Sequence, residues 1–303
     1  MKLIGNTPLV RLEHLPGSDS AEVFVKWEGA NPSGSMKDRM ALSMVEGAER
    51  DGKLSVGGRV VDYTGGSTGS SLALVCAARG YKAHFVSSDA FAEEKIQTMR
   101  AFGATVDVIP SGDGKVTPEL IADLIERVRK LAEDPDTFWT DQFNNPNNRI
   151  AYHAMGEEIL DALDGDLDEF VMGVGTGGCF SGNAEVLKDR VRGVRCIALE
   201  PANTRALSNQ GPFGGHRLEG MGAGFVPSIC RLDLADEIIA VTDEDAYETA
   251  LQLARREGIF GGITCGANVW AALERARQLG PGHQVVTVIV DSGLKYLRGD
   301  LYE

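Results

Sequence analysis

The chain has 303 residues, 43% of them hydrophobic, enough to bury a large core and to divide into two domains. Thirty Lys and Arg against 44 Asp and Glu give a formal charge of −14 with no basic cluster, which sets nucleic acid aside as a partner. The opening MKLIGNTPLVRL has no apolar stretch of signal-peptide length, and the most apolar run elsewhere, VVTVIV at 285–290, is far short of a membrane span; the expectation is a cytoplasmic protein without membrane contact.

In chain order, short β-rich runs alternate with helical stretches: EVFVKWE then KDRMALSMVEGAERDG, RVVDYT then TGSSLALVCAARG, AHFVSS then AFAEEKIQTMRAFG, TVDVIP then TPELIADLIERVRKLAED. The rhythm continues through NRIAYHAMGEEILDAL, EFVMGVG, FSGNAEVLKDR, VRCIALEP, DEDAYETALQLARREG, GANVWAALERARQLG and QVVTVIV. Such alternation means mostly parallel sheets covered by helices on both faces, an α/β protein. The units are too many for one sheet, so a smaller domain is expected at residues 37–146 and a larger one on 1–36 and 147–303. The stretch 203–227, rich in Gly, Asn and Pro, reads as a long loop of the kind that often serves function. Cys76, Cys179, Cys196, Cys230 and Cys265 lie far apart without a C-x-x-C pair, which argues against a disulfide framework and a zinc site. The five histidines, His153 and His216 among them, show no metal-ligand spacing, so no metal is assigned.

On the helix starting near residue 35, Lys37 heads a stripe made by Met40, Ala41, Met44, Val45 and Ala48, while Arg39, Glu46 and Arg50 fall on the other side and read as a solvated face. Two readings of Lys37 stand together. Its stem could lie on apolar surface with the ammonium reaching water, or its amine could sit desolvated as a nucleophile toward a carbonyl.

Two segments repeat one device, a strand entering a glycine-rich turn before a helix: RVVDYT-GGSTG-SSLALVCAA and EFVMGV-GTGGC-FSGNAEVL. Each directs backbone N–H groups at one spot, where they and the helix dipole attract an anion. Gly175, Thr176, Gly177, Gly178 and Cys179 leave room for a phosphate, and Thr64, Gly65, Ser67 and Thr68 form a hydroxyl-bearing turn suited to a carboxylate. The plainer reading is that glycine simply fits tight turns. Gly173, Gly175 and Gly178 also spell G-x-G-x-x-G, with Glu200 where a ribose-binding acid would stand, so a nucleotide-dependent dehydrogenase remains an alternative.

From end to end the chain resembles the cysteine synthases (O-acetylserine sulfhydrylases), fold-type II pyridoxal 5'-phosphate enzymes of the tryptophan synthase β-like class. The motifs are IGNTPLVRL (4–12), NPSGSMKDR (31–39), TGGSTG (64–69), GTGGCFSG (175–182), EGMGAGFVP (219–227), GITCGAN (262–268) and DSGLKYL (291–297). The resemblance implies two three-layer α/β/α domains, the smaller mobile and clamping substrate, the larger binding the cofactor phosphate. It implies that Lys37 carries pyridoxal phosphate as a Schiff base and moves protons at the substrate α-carbon, that Gly175–Cys179 cradles the phosphate, and that Ser292 meets the pyridine nitrogen. A neutral hydroxyl there makes the ring a weaker electron sink than an aspartate would. The turn with Thr64, Gly65, Ser67 and Thr68, together with Gln142, would clamp the substrate carboxylate, Ser67 would also lie at the cofactor, and Gly222 would flank the substrate. Read singly, Ser292 could instead be a helix cap and Gln142 a surface amide.

The sequence departs from the family at several points. Ser67 stands where an asparagine is usual and Gly65 where a serine is; Cys179 replaces a common threonine; Leu294 and Lys295 stand where Glu and Arg are frequent; and SGDGKV (111–116) replaces a familiar loop. The expected reaction is β-replacement, making cysteine from O-acetylserine, or a similar activated serine, and sulfide through an aminoacrylate. The alternatives are a β-eliminase of the cysteine desulfhydrase or serine dehydratase type, the dehydrogenase, and a catalytically silent homologue. The resemblance also implies a homodimer.

Overall fold

The apolar runs pair into two separate sheets in the computed structural model, which describes residues 1–112, 117–211 and 214–302. In chain order the strands are β1 (Leu9–Arg11), β2 (Glu22–Trp27), β3 (Arg59–Tyr63), β4 (Lys82–Ser88), β5 (Thr105–Ile109), β6 (Thr137–Trp139), β7 (Glu169–Gly173), β8 (Arg195–Pro201), β9 (Glu237–Val241) and β10 (Gln284–Ile289). The helices are α1 (Lys37–Arg50), α2 (Ser67–Arg79), α3 (Glu93–Ala101), α4 (Pro118–Leu131), α5 (Pro146–Ile150), α6 (His153–Ala162), α7 (Gly178–Arg190), α8 (Asp243–Gln252) and α9 (Ile263–Leu279). The fold is α/β with mainly parallel sheets.

The first compact unit comprises Lys37–Asn148 with Met1 and Lys2. Its four strands run in the order β5-β4-β3-β6, all parallel. Val61 and Val86 project from β3 and β4 into a core with Leu120, Leu124 and Val128 of α4. Their neighbours Val60 and Phe85, fully buried, point to the opposite face because side chains alternate along a strand; α2 packs on β3 and β4, and α1 on α2. Each of these aliphatic or aromatic side chains contributes about 1.5–3 kcal/mol by leaving water.

The second unit comprises Leu3–Met36 and the chain from Arg149 onward. Its six strands are ordered β1-β2-β10-β7-β8-β9, with only β1 antiparallel. β7 and β10 are buried almost throughout, as expected of central parallel strands covered on both faces. A buried ion pair fixes α9 to β7: both carboxylate oxygens of Glu169 accept from Arg275, at 2.6 and 2.7 Å, and the pairing holds the Arg275 guanidinium firmly charged.

Two sequence expectations need correction. Arg39 is buried, 5% exposed, like Asp38, Met40 and Ala41 beside it, so the start of α1 shows no clear solvent face; the apolar stripe governs exposure only later, where Glu46 and Arg50 face solvent. NRIAYHAMGEEILDAL is two helices, α5 and α6, broken at 151–152 where Gly182 of α7 brings its Cα close against the Arg149 carbonyl and Tyr152 Cβ. The stretch 203–227 holds no helix or strand among the described residues, and positions 113–116 of the SGDGKV segment lie outside them. No described helix is long and apolar enough to cross a membrane.

Candidate active site

Each glycine-rich turn follows the carboxyl end of a central strand, the place where open α/β sheets bind ligands. In the first unit β3 leads through Thr64, Gly65 and Gly66 into α2 at Ser67. Thr64 is buried, and its hydroxyl oxygen accepts from the backbone N–H of Gly66 and of Gly69, both at 3.1 Å. The turn is thereby folded back on itself. The N-cap residue Gly66 has no side chain of its own to cap α2; Thr64 takes the Gly66 and Gly69 N–H groups, and those of Ser67 and Thr68 at the helix start face an acceptor. The Thr68 hydroxyl donates to Gln142 Oε1 at 2.8 Å. Gln142 is 7% exposed, not a surface amide; its side-chain amide reaches the Tyr63 carbonyl at 3.4 Å, and Asn148 holds its backbone carbonyl at 2.7 Å. Thr64, Gly65, Ser67, Thr68 and Gln142 are thus one cluster.

Behind this cluster lies a group the sequence reading did not single out. Asp62 of β3 is fully buried, and its carboxylate accepts from the Thr140 hydroxyl, from Trp139 Nε1 at 3.1 Å and from the Tyr63 N–H at 2.8 Å. Burial nevertheless dominates and pushes its pKa up to about 7, with Asp141 adding repulsion. Asp62 ties β3 to the end of β6 and so fixes where the chain turns toward Gln142. Lys37 opens α1 in the same unit and is half-buried at the head of the apolar stripe. The residue before it, Met36, belongs to the second unit, where its N–H donates to the Val290 carbonyl at 2.8 Å.

In the second unit β7 leads through Val174, Gly175 and Thr176 to Gly177, which caps α7 in the left-handed conformation at φ 82°. A Cβ on Gly177 would lie 2.5 Å from that of Cys230, and one on Gly175 would overlap the Gly220 carbonyl oxygen. Only glycine meets these demands. The same backbone approach brings in Gly222, whose N–H donates to the Val174 carbonyl at 2.9 Å with φ at +70°; His216 Nε2 sits against its carbonyl at 3.2 Å. Cys179 is buried at the start of α7, its carbonyl receiving the Asn183 amide at 2.8 Å. Ser292 lies elsewhere in this unit, bridged to Gly261; its hydroxyl oxygen caps the following turn by accepting from the Leu294 N–H at 3.3 Å. The helix-cap reading and a ring-nitrogen role are compatible, because a hydroxyl that accepts still has a proton to donate.

The sequence profile described as pyridoxal-phosphate dependent enzyme matches residues 1–291. This chain belongs to that family. A cysteine synthase of Staphylococcus aureus is 40% identical over 303 residues, 99% of this chain and 96% of its own length. Among solved structures, a hydrogen sulfide-producing enzyme from Fusobacterium nucleatum matches with a TM-score of 0.91 at 38% identity, covering 98% of this chain and 96% of that one. A cysteine synthase from Entamoeba histolytica matches with a TM-score of 0.93 at 33% identity, covering 99% and 89%.

The protein is therefore a pyridoxal-phosphate-dependent enzyme of the cysteine synthase-like, fold-type II class. The dehydrogenase alternative falls with this result. Glu200 is already committed: 1% exposed, it accepts from the Ser208 hydroxyl at 2.5 Å and the Leu207 N–H at 2.8 Å, anchoring the loop that follows β8. The donor chemistry present fits the cofactor. A helix start without a side-chain cap, preceded by glycines and a threonine hydroxyl, suits a phosphate; a half-buried lysine amine suits an aldehyde; a serine hydroxyl suits a pyridine nitrogen.

Proposed function

We propose that this enzyme makes cysteine by β-replacement, exchanging the β-substituent of O-acetylserine or a similar activated serine for sulfide. The observation that carries the reading is the Thr64–Gly69 turn, held together by Thr64 and tied to Gln142 within one unit, in a chain 40% identical to a cysteine synthase over its length; that turn supports the reading as the receiver of the substrate carboxylate. When bound, pyridoxal phosphate supplies an electron sink next to the substrate α-carbon. Lys37 would hold it covalently through the ε-amine and, once displaced by substrate, would carry the proton at the α-carbon. Backbone N–H groups of 175–179 and the Thr176 hydroxyl would hold the phosphate, and Ser292 the ring nitrogen as an uncharged partner. Thr64, Gly65, Ser67 and Thr68 with Gln142 would receive the substrate carboxylate, Ser67 also bordering the cofactor, and Gly222 would flank the reacting carbons. The smaller unit then serves the substrate and the larger one the phosphate. Family resemblance extends the reading to a cytoplasmic homodimer, to be checked by sedimentation and cell fractionation.

Borohydride reduction followed by peptide mass analysis tests the lysine assignment. The expected result is a reduced cofactor adduct on Lys37, absent from Lys37→Ala, which also loses turnover; an adduct on another lysine overturns the assignment. A second reading, β-elimination releasing pyruvate and ammonia, is favoured by Ser67 and Gly65 in the carboxylate turn and by the hydrogen sulfide-producing neighbour. Product analysis with cysteine as the substrate distinguishes it: sulfide and pyruvate formed faster than cysteine synthesis would establish the eliminase.

A further inference from the structure

The apolar face of α3 carries a second lysine out of place. Phe91, Lys95 and Met99 follow one another at helical spacing, and Lys95, Ile96 and Met99 are the buried residues of the helix. Lys95 is 5% exposed. Its stem crosses the first glycine turn: a Cβ built on Gly66 would lie 2.7 Å from Lys95 Cδ and 3.5 Å from its Nζ. Gly66 is not left-handed (φ 175°), and the close approach of the lysine stem leaves no room there for a Cβ. The neighbouring position repeats the arrangement, since a Cβ on Gly65 would lie 2.6 Å from the Phe91 ring. Where the family's turn has a serine and an asparagine, this chain has Gly65 and Ser67, with an aromatic ring and an ammonium brought over the turn from α3 and the loop before it.

We propose that Lys95 is a substrate-binding residue, its ammonium completing the carboxylate receiver formed by the Thr64–Gly69 turn, with Phe91 as the wall that fixes its course. The ammonium stands beside the start of α2, where the Ser67 and Thr68 N–H groups and a buried cation would act on the same anion. It replaces by charge what the turn has lost in amide donors. An enzyme built this way depends on the substrate carboxylate being ionised and unblocked more than one relying on neutral donors.

This inference rests on the reading of the turn as the carboxylate site, and the test separates the two. Steady-state kinetics on the holoenzyme would compare Lys95→Met, Lys95→Arg and Thr68→Val, using O-acetylserine and its carboxamide. Lys95→Met, which keeps the apolar stem, should raise KM for O-acetylserine roughly 10- to 100-fold with kcat little changed. The preference for acid over carboxamide should fall by a similar factor, and Lys95→Arg should restore most of it. A merely structural lysine would change neither the preference nor the split between KM and kcat. If Thr68→Val raises KM and Lys95→Met does not, the inference is overturned and the carboxylate reading stands; if neither does, both fall. Lys95→Gln, neutral but polar, gives an independent reading should the methionine variant be insoluble, and an unchanged KM there overturns the proposal equally.

Discussion

The two glycine turns look alike in sequence and are built on different terms. In the second, main chain meets main chain: the Gly220 carbonyl closes on Gly175, and Gly177 is left-handed. In the first, side chains create the need for glycine, Phe91 over Gly65 and Lys95 over Gly66, while Thr64 ties the loop from within. A backbone constraint has no partner that can be exchanged, whereas a side-chain constraint can be relieved by changing the side chain. On the proposed assignment of substrate to the first turn and cofactor phosphate to the second, the first turn is where a protein of this architecture would vary its choice of substrate while the second keeps its cofactor.

The sharpest break in that comparison is Gly175→Ala. Its Cβ has no space beside the Gly220 carbonyl, and cofactor affinity should fall roughly 100-fold or more in an absorbance titration with pyridoxal phosphate. Retained affinity would show that the second turn is softer than its geometry.

The strands feeding the turns differ in parallel fashion. Glu169 at the start of β7 is paired with Arg275, and Glu169→Gln leaves that buried guanidinium with only the more exposed Glu237 carboxylate, 3.1 Å away, as counter-charge. Denaturant unfolding should show a loss of about 2–3 kcal/mol.

Asp62, feeding the first turn, is buried without a cation among its hydrogen-bond partners. Its pKa is raised in the folded state from 3.8 to about 7, so between those values the folded protein binds the extra proton and this group's contribution to stability falls as pH rises. Asp62→Asn should remove that slope, and its cost relative to the natural chain, by thermal unfolding, should be smaller at pH 8 than at pH 5 by a few kcal/mol. An equal cost at both pH values would contradict a raised pKa.

The smallest effect expected is also the most diagnostic. Gly65→Ser should lower kcat/KM for O-acetylserine roughly 10-fold by pushing on Phe91, and adding Phe91→Ala should recover most of it. Simple additivity in this cycle would deny the coupling.

Much of this architecture was legible because its central strands and amphipathic helices are long and periodic. The three strands missed, β1, β6 and β9, all lie at sheet edges; β1 and β6 have three residues each, too few to show alternation, and β9 is only partly buried. The turns, Lys37, Ser292 and Gln142 stood out through motif and resemblance. Asp62 did not, because nothing in VVDYT distinguishes a buried aspartate from one at a strand end. Lys95 carried the same signal as Lys37, a lysine on an apolar face, but inside a shorter helix and without a motif around it. Arg39 shows the converse limit: periodicity assigns a face, but at the start of α1 Asp38, Arg39, Met40 and Ala41 are all buried, so position on the helix does not decide exposure there.

The central claim is tested most directly by following the visible absorbance of the holoenzyme through addition of O-acetylserine and then sulfide, with cysteine assayed at the end. The account predicts that the cofactor band shifts on O-acetylserine and returns on sulfide with one cysteine formed per site. A band indifferent to O-acetylserine, or one that returns without cysteine while pyruvate accumulates, would contradict it.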